Sequence, residues 1–276
     1  MVTVLRPKQW IKNLLVIAAP VAAGEFSPQA KNVLIGFFGF CAASSFGYLV
    51  NDWNDRKADK RHPKKCFRPF AAGLLDFYHL VFLLLFCISI ALASCLLLPT
   101  NFMLTLLIYL ALTISYSMCI KSVPVLEMLW LATGFLIRAL AGSAIVQLPP
   151  TGWFIVTVLF GALFIVSAKR LAELRIPSAK LTRKVIESYN ESFLETVLTS
   201  SLTITLLTYA LWVFEVYSNS LLAPVTILPF SLSCFLYTWH SQTGNAEEPE
   251  NLLFSSKMIV LSMALTTLPL LIVIYL

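Results

Sequence analysis

Long apolar segments alternate with short polar ones along the whole chain. Nine apolar segments approach or reach the roughly 17–25 residues that a helix needs to cross a bilayer. They cover residues 12–26, 31–50, 77–98, 102–119, 124–146, 151–168, 194–217, 221–240 and 257–276. The first is short and is broken by Pro20 and Gly24. The pattern predicts an all-α integral membrane protein with about nine transmembrane helices.

Two longer polar segments interrupt this pattern, and we expect both to be cytoplasmic loops. Residues 51–76 link the second and third apolar segments, and residues 169–193 link the sixth and seventh. The four segments between them are joined by tight turns. This order predicts two similar four-helix halves followed by a last span, within one transmembrane domain covering residues 1–276.

Composition and charge agree with a location in the lipid bilayer. Hydrophobic residues make up 58% of the chain and charged residues 12%, and the mean hydropathy is +0.82. If the N-terminus is cytoplasmic, all of the 20 basic residues except Lys31 and Arg138 fall on the cytoplasmic side. The positive charge can attract phosphorylated substrates or anionic headgroups. No soluble basic domain exists to carry nucleic acid, so we expect no nucleic-acid partner.

Three of the chain's four aspartates lie in one short segment, Asn51–Asp59. If the segment is helical, Asn51, Asp55 and Asp59 stand at i, i+4 and i+8 and share one face, with Asp52 off that face. Oxygen ligands in a row suit Mg²⁺, which usually serves substrate phosphates. The segment therefore predicts a magnesium site for a diphosphate substrate.

Basic residues interleave with these aspartates or follow them. They are Arg56, Lys57, Lys60, Arg61, Lys64, Lys65 and Arg68. A carboxylate row beside a cationic row favours a metal–diphosphate site, although a solvated loop of mixed charge has a similar composition.

Arg138 lies in the middle of an apolar span, where a charge is costly and is a functional candidate. Pairing with a carboxylate or carbonyl and direct contact with substrate are both open interpretations. The small residues Gly134, Ala141 and Gly142 nearby predict close helix packing.

Together these residues resemble the UbiA-type prenyltransferase superfamily. Its members carry an NDxxDxxxD motif after the second span, as in Asn51–Asp59. The resemblance implies nine helices bundled around a cavity open to the cytoplasmic side. It also implies polar motifs after spans two and six that hold Mg²⁺ on a prenyl diphosphate.

The segment after the sixth span departs from that pattern, because Lys169, Arg170 and Glu173 stand where a second aspartate cluster is expected. The chain is instead similar to the decaprenyl-phosphate phosphoribosyltransferase branch, at residues 5–13, 51–52, 62–73, 116–121, 138–139 and 169–173. This resemblance implies transfer of 5-phosphoribose from phosphoribosyl pyrophosphate (PRPP) to a polyprenyl, decaprenyl-like phosphate, with release of pyrophosphate. The product would be a precursor of arabinofuranose donors for cell-wall polysaccharides. The location implied is a bacterial-type cell membrane, with the active site cytoplasmic and the C-terminus on the opposite side.

We expect a role for each candidate residue in this reaction. Asn51, Asp55 and Asp59 hold Mg²⁺, and Asp52 binds a second metal ion or orients Arg56. Phosphate contacts are expected from Lys64, Lys65 and Arg68, and contact with the leaving pyrophosphate from Lys121. The opposite wall of the site is expected to consist of Lys169, Arg170 and Glu173, with the glutamate on the ribose hydroxyls. The lipid phosphate is expected to meet Arg6, Lys8, Gln9, Lys12 and Asn13. Tyr189 and Asn190 in the second polar segment complete the candidates.

The chemistry fits these assignments, because the phosphate nucleophile is already charged and requires no general base. Catalysis would then consist of placement and electrostatic stabilisation.

Two alternatives remain open at this point. A prenyl diphosphate transferase acting on an aromatic acceptor would predict a second aspartate motif. A transporter or channel would predict ionisable residues in the middle of several spans. A homo-oligomer is compatible with the sequence.

Overall fold

The computed structural model of the protein describes residues 2–60, 65–175, 184–242 and 256–276. Over these residues the chain forms nine α-helices. In chain order they are α1 (Leu15–Ala22), α2 (Phe26–Asp59), α3 (Phe77–Leu97), α4 (Thr100–Met118), α5 (Leu126–Val146), α6 (Gly152–Leu174), α7 (Glu191–Val216), α8 (Ile227–Gln242) and α9 (Lys257–Tyr275). Short 3-10 helices precede α1 at Val2–Leu5 and Pro7–Leu14, and others lie at Lys65–Phe67, Ile120–Ser122, Lys184–Ser188 and Ala223–Thr226.

The predicted all-α membrane class is confirmed. Seven helices within the described ranges, α2 to α7 and α9, are long and apolar enough to cross a bilayer. Their outward faces are apolar, as shown by the exposed side chains of Leu85, Leu92 and Leu96 on α3 and of Leu104 and Leu107 on α4. Such faces are stable in contact with lipid and not with water.

Each of the nine apolar segments corresponds to one helix, but two of these helices are short. Helix α1 has 8 residues and α8 has 16, which is less than the roughly 20 residues of a typical span. Nine membrane crossings and a central cavity therefore stay predictions.

Helix α2 extends well beyond the predicted span 31–50. It has 34 residues with a kink at Gln29 (φ −113°, ψ 18°), and the part after the kink alone has a length of about 45 Å, against a hydrocarbon core of about 30 Å. The segment from Asn51 to Asp59 is therefore helical, and the prediction of a loop beginning at residue 51 is wrong for these nine positions. No glycine or proline occurs in the sequence between Gly47 and Pro63, so no helix-breaking residue ends the helix before Asp59. Likewise α6 continues through Lys169 to Leu174, where the second polar loop was predicted.

The chain divides into two compact units. The first contains residues 1–20, 25–118 and 137–148, and the second contains residues 21–24, 119–136 and 149–276. In the first unit, α2 packs against α3 and α4 around Phe40, Phe102 and Tyr109. In the second, α6 packs against α7 and α8 against α9, with Phe164 and Tyr237 in edge-to-face contact.

Close helix packing at Gly142, predicted from its small side chain, is confirmed. A Cβ atom at this position would lie 2.2 Å from the carbonyl oxygen of Val16 and 2.8 Å from Cδ of Pro20. The backbone of α1 therefore reaches α5 only because Gly142 has no side chain.

We expect Gly142→Ala to destabilise the protein by about 1–3 kcal/mol, because the added methyl must displace backbone rather than a flexible side chain. Thermal unfolding of the protein in detergent measures the change. The matched control is Gly152→Ala, where a Cβ atom would meet nothing within 4 Å. Equal melting temperatures for the two variants would contradict the packing argument.

Candidate active site

The aspartate segment presents its oxygen ligands on one arc of α2. At about 100° per residue, Asn51, Asp55, Asp59 and Asp52 follow each other around the helix within an arc of about 100°. The expectation that Asp52 lies off the face of the other three is therefore wrong. Asp52 and Asp59 are buried, and Asn51 and Asp55 are half-buried.

Two arginines bind the buried aspartates. Arg6 donates from Nη2 to both carboxylate oxygens of Asp52, at 2.6 and 2.8 Å. Arg68 donates from Nη1 to Oδ2 of Asp59 at 2.7 Å and to Oδ1 of Asp52 at 3.1 Å. Burial of these carboxylates is compatible with folding because each is paired with a cation.

Of the two roles expected for Asp52, the orientation of Arg56 is wrong. Arg56 donates to the carbonyl oxygen of Trp53 at 2.6 Å, and its guanidinium lies 4.0 Å from the centre of the Trp53 ring. Asp52 has Arg6 and Arg68 as its partners instead.

The backbone around each of the two arginines explains their positions. Arg6 has a left-handed conformation (φ 52°), which is uncommon for a residue with a side chain and costs about 1–3 kcal/mol. Arg68 precedes a tight turn that closes at Gly73 (φ 75°). This turn is anchored by the buried Phe70, whose ring meets Trp53 edge-to-face at 5.7 Å.

The oxygen donors of this arc fit a magnesium ion in their chemistry, because all are carboxylates or an amide carbonyl. The arrangement of the side chains does not form a ready metal site: within the described ranges, no three His, Cys, Asp or Glu residues are grouped to hold a metal ion. The arginine contacts of Asp52 and Asp59 also engage carboxylate oxygen atoms that a metal ion would need.

A second polar cluster in the same unit surrounds Arg138, which is almost completely buried. Its Nε donates to Oδ1 of Asn13 at 2.8 Å, and its Nη2 donates to the hydroxyl of Tyr109 at 2.8 Å. Asn13 in turn donates to Ser44 Oγ at 3.1 Å. Arg138 therefore has partners within the protein, but these two are a side-chain amide and a phenol and not the expected carboxylate or backbone carbonyl.

The candidates for the lipid phosphate separate into different environments. Asn13 is fully buried in the Arg138 cluster, so its expected contact with a lipid phosphate at the membrane surface does not fit the structure. Arg6 binds Asp52. Lys12 donates to the side chain of Gln9 at 2.6 Å, and Lys8 is exposed.

In the second unit, Arg170 forms a buried ion pair with Glu127. Nε and Nη2 of Arg170 each lie 2.6 Å from a carboxylate oxygen of Glu127, and Nη1 lies 2.6 Å from Oε2 of Glu173. Arg170 is 1% exposed and Glu127 0%. Because glutamates hold both edges of the guanidinium, the expected direct contact of Arg170 with a substrate phosphate does not fit this structure.

Tyr189 connects this ion pair to the start of α5. Its hydroxyl accepts a hydrogen bond from the backbone N–H of Val125 at 2.8 Å and lies 3.4 Å from Oε1 of Glu127. Val125 has φ 66°, a strained conformation for a β-branched residue. Burial raises the pKa of the Tyr189 phenol, the Val125 N–H partly offsets this rise, and the Glu127 charge adds to it. The phenol therefore stays protonated near neutral pH and can donate to Glu127.

The remaining candidates have simpler positions. Lys169 is half-buried near the end of α6, and Lys121 is exposed in the 3-10 helix Ile120–Ser122. Asn190 caps α7 by accepting from the N–H of Phe193 at 2.7 Å. Lys64 and the side chain of Lys65 lie outside the described residues.

Two residues that matter in these clusters were not among the candidates. Glu127 is the buried partner of Arg170, and Tyr109 is a partner of Arg138. A carboxylate at the start of an apolar span was a usable signal for Glu127. Nothing in the sequence distinguishes Tyr109 from an ordinary apolar aromatic residue.

Comparisons with known proteins agree on one family. The model of the UbiA prenyltransferase family matches residues 14–263. A decaprenyl-phosphate phosphoribosyltransferase of Mycobacterium tuberculosis is 36% identical over 94% of this chain and 89% of its own length. One from Corynebacterium glutamicum is also 36% identical, over 96% of this chain and 83% of its own length.

A solved structure shares the fold. It is a UbiA homolog from Archaeoglobus fulgidus bound to DMAPP and Mg²⁺, with a TM-score of 0.72 and 16% sequence identity, covering 96% of this chain and 98% of that one. At this identity the likeness concerns the fold alone. By its sequence and its fold, the chain belongs to the UbiA prenyltransferase family.

Proposed function

We propose that this protein transfers 5-phosphoribose from PRPP to a polyprenyl phosphate and releases pyrophosphate. The observation that carries the proposal is the 36% identity, over 94% of the chain, to enzymes named decaprenyl-phosphate phosphoribosyltransferase. Lys169, near the end of α6, supports it, because a cation stands in the segment where the resemblance to the UbiA superfamily implies aspartates. A substrate pair with several phosphates favours cations at such a position.

The reaction needs little chemistry from the protein. A phosphate oxygen of the lipid forms a bond to C1 of the ribose while the bond from C1 to the pyrophosphate oxygen breaks. Both the nucleophile and the leaving group are anions, so the protein's task is to position them and to offset their charge.

The oxygen ligands for magnesium are Asn51, Asp52, Asp55 and Asp59. The ion would neutralise charge on the diphosphate and so assist its departure. Lys169 and Lys121 supply further positive charge to phosphates, and Glu173 accepts hydrogen bonds from ribose hydroxyls. Magnesium bound in the structure of the Archaeoglobus homolog supports the choice of metal.

Orientation belongs to the same proposal. The aspartates and nearly all of the basic residues face the cytoplasm of a bacterial-type cell membrane, because Lys and Arg accumulate in cytoplasmic loops. Residues 1–276 act as one transmembrane domain. The lipid phosphate then meets the surface cations Lys8 and Lys12.

A direct assay tests this function. Purified protein with Mg²⁺, labelled PRPP and a polyprenyl phosphate should yield a labelled lipid and pyrophosphate. EDTA should abolish the reaction and excess Mg²⁺ should restore it. Prenylation of an aromatic acceptor without use of PRPP would instead support the alternative, a prenyl diphosphate transferase.

Asp55→Asn should reduce transfer by roughly tenfold to a hundredfold, because it removes one charged contact from the metal–diphosphate site. The melting temperature should change little, since Asp55 is only half-buried. Asn54→Ala is the matched control, because Asn54 is exposed and lies outside the aspartate arc of α2. Equal activity of the two variants would contradict the assignment.

Lys169 and Glu127 should respond differently to mutation. Lys169→Ala should raise the KM for PRPP with little change in melting temperature. Glu127→Ala should lower the free energy of unfolding by about 3–5 kcal/mol, because it leaves the buried Arg170 without its main partner. Glu215→Ala, at an exposed position of α7, controls for loss of a carboxylate. Thermal unfolding and PRPP kinetics on all three variants make the comparison, and a Glu127 variant as stable as the Glu215 variant would refute it.

A further inference from the structure

One nitrogen atom of Arg68 serves two buried carboxylates. Nη1 lies 2.7 Å from Asp59 and 3.1 Å from Asp52, two residues that stand seven positions apart on the same side of α2. Each aspartate is only 5% exposed. Arg68 itself is more accessible, with 26% of its side chain exposed. The guanidinium therefore bridges the two buried aspartates while its own side chain stays partly exposed.

A metal ion and Arg68 need the same oxygen atoms. Magnesium binds carboxylate oxygens directly, and Asp59 Oδ2 and Asp52 Oδ1 already accept from Arg68. For the ion to bind both, the guanidinium must leave them. A displaced guanidinium in a partly buried place requires another anion. A diphosphate is well suited, because guanidinium groups bind phosphate oxygens with two parallel hydrogen bonds.

Arg6 is a poorer candidate for such an exchange. It holds both oxygens of Asp52 through one nitrogen, and its guanidinium also lies 4.9 Å from the centre of the Tyr48 ring. Its backbone is fixed in the left-handed conformation that directs it there. Arg68 is held to the aspartates through Nη1 alone, in the part of the chain that the structure describes.

We propose that Arg68 exchanges partners, binding Asp52 and Asp59 until metal and diphosphate arrive together, and then binding the diphosphate. As a consequence of this exchange, magnesium and a diphosphate each increase the protein's affinity for the other. Magnesium alone binds weakly, because it must expel Arg68 without a new partner for the guanidinium. With a diphosphate present, that penalty disappears. The inference rests on the proposed function only for the choice of diphosphate.

The test measures binding without turnover. Full-length protein in detergent is titrated with MgCl₂, with and without inorganic pyrophosphate, and metal binding is followed by thermal unfolding and by calorimetry. In the wild type, pyrophosphate should lower the midpoint for magnesium by roughly 5- to 150-fold, the usual range of coupling between two sites. In Arg68→Gln, magnesium alone should bind more tightly than in the wild type, and the effect of pyrophosphate should largely vanish.

The chain offers a matched control for loss of positive charge. Arg175 donates to the carboxylates of Glu191 and Glu195 on α7, so its removal frees no aspartate of α2. Arg175→Gln should therefore keep the wild-type coupling between magnesium and pyrophosphate. If it loses the coupling as fully as Arg68→Gln does, general electrostatics is responsible and the proposal fails.

The thermal stability of the Arg68 variants also tests the proposed exchange. Arg68→Gln leaves Asp59 without its cation, so its melting temperature should fall and magnesium alone should restore it. Arg68→Lys keeps the charge but not the planar fork, and should show intermediate coupling. Either variant, if folded, decides the question.

The outcomes separate this inference from the proposed function. If wild type forms the labelled lipid from PRPP but Arg68→Gln binds magnesium alone no more tightly than wild type, the exchange is refuted and the function stands. If the coupling behaves as expected but PRPP is never used, the exchange stands and the function falls.

Discussion

Charges buried in an apolar bundle must be paired, and this requirement determines where the polar residues of the protein are found. Asp52 and Asp59 are buried at the end of α2 together with the guanidinium groups of Arg6 and Arg68. An unpaired carboxylate at either position would be strongly destabilising. The pairing therefore permits a row of aspartates on a membrane helix. It also fixes two segments that are far apart in sequence, the N-terminal 3-10 helix and the turn before α3, against the same helix.

Other buried arginines in the two units are paired with different kinds of partner. Arg138 uses an amide and a phenol, which also stacks against its guanidinium at 4.6 Å. Arg170 uses two glutamates, and one of these also reaches Tyr189, which satisfies the N–H of the strained Val125. In the second case one ion pair helps to hold the end of α6, the start of α5 and the segment before α7. Arg170, which its charge alone would suggest as a substrate ligand, therefore stabilises the fold.

Features of this protein that depend on local interactions could be predicted from the sequence, and features that depend on long-range contacts could not. The helices were predictable because apolar length is a local property, and the common arc of Asn51, Asp55 and Asp59 follows from helix geometry. The same geometry also places Asp52 on the same side of α2 as Asp59, about two turns away, which the i, i+4 rule alone overlooks. The pairing of Arg170 with Glu127 joins residues 43 positions apart, and no local spacing encodes it. The left-handed backbone conformation of Arg6 and Val125 could not be predicted from the sequence either, because neither residue type favours it.

The charge of the cluster at the end of α6 fits the absence of the second aspartate motif that the resemblance to the UbiA superfamily implies. Lys169 and Arg170 carry two positive charges, and Glu127 and Glu173 carry two negative charges, so the four side chains together are neutral. A second aspartate motif would be negative and would need a metal ion before it could accept a phosphate. A neutral cluster has no such need, and its ion pairs are satisfied within the protein. Replacing the second motif therefore removes a repulsive charge without leaving a buried one uncompensated. In the proposed reaction the donor has one diphosphate, so the expected metal ligands of α2 are sufficient for it.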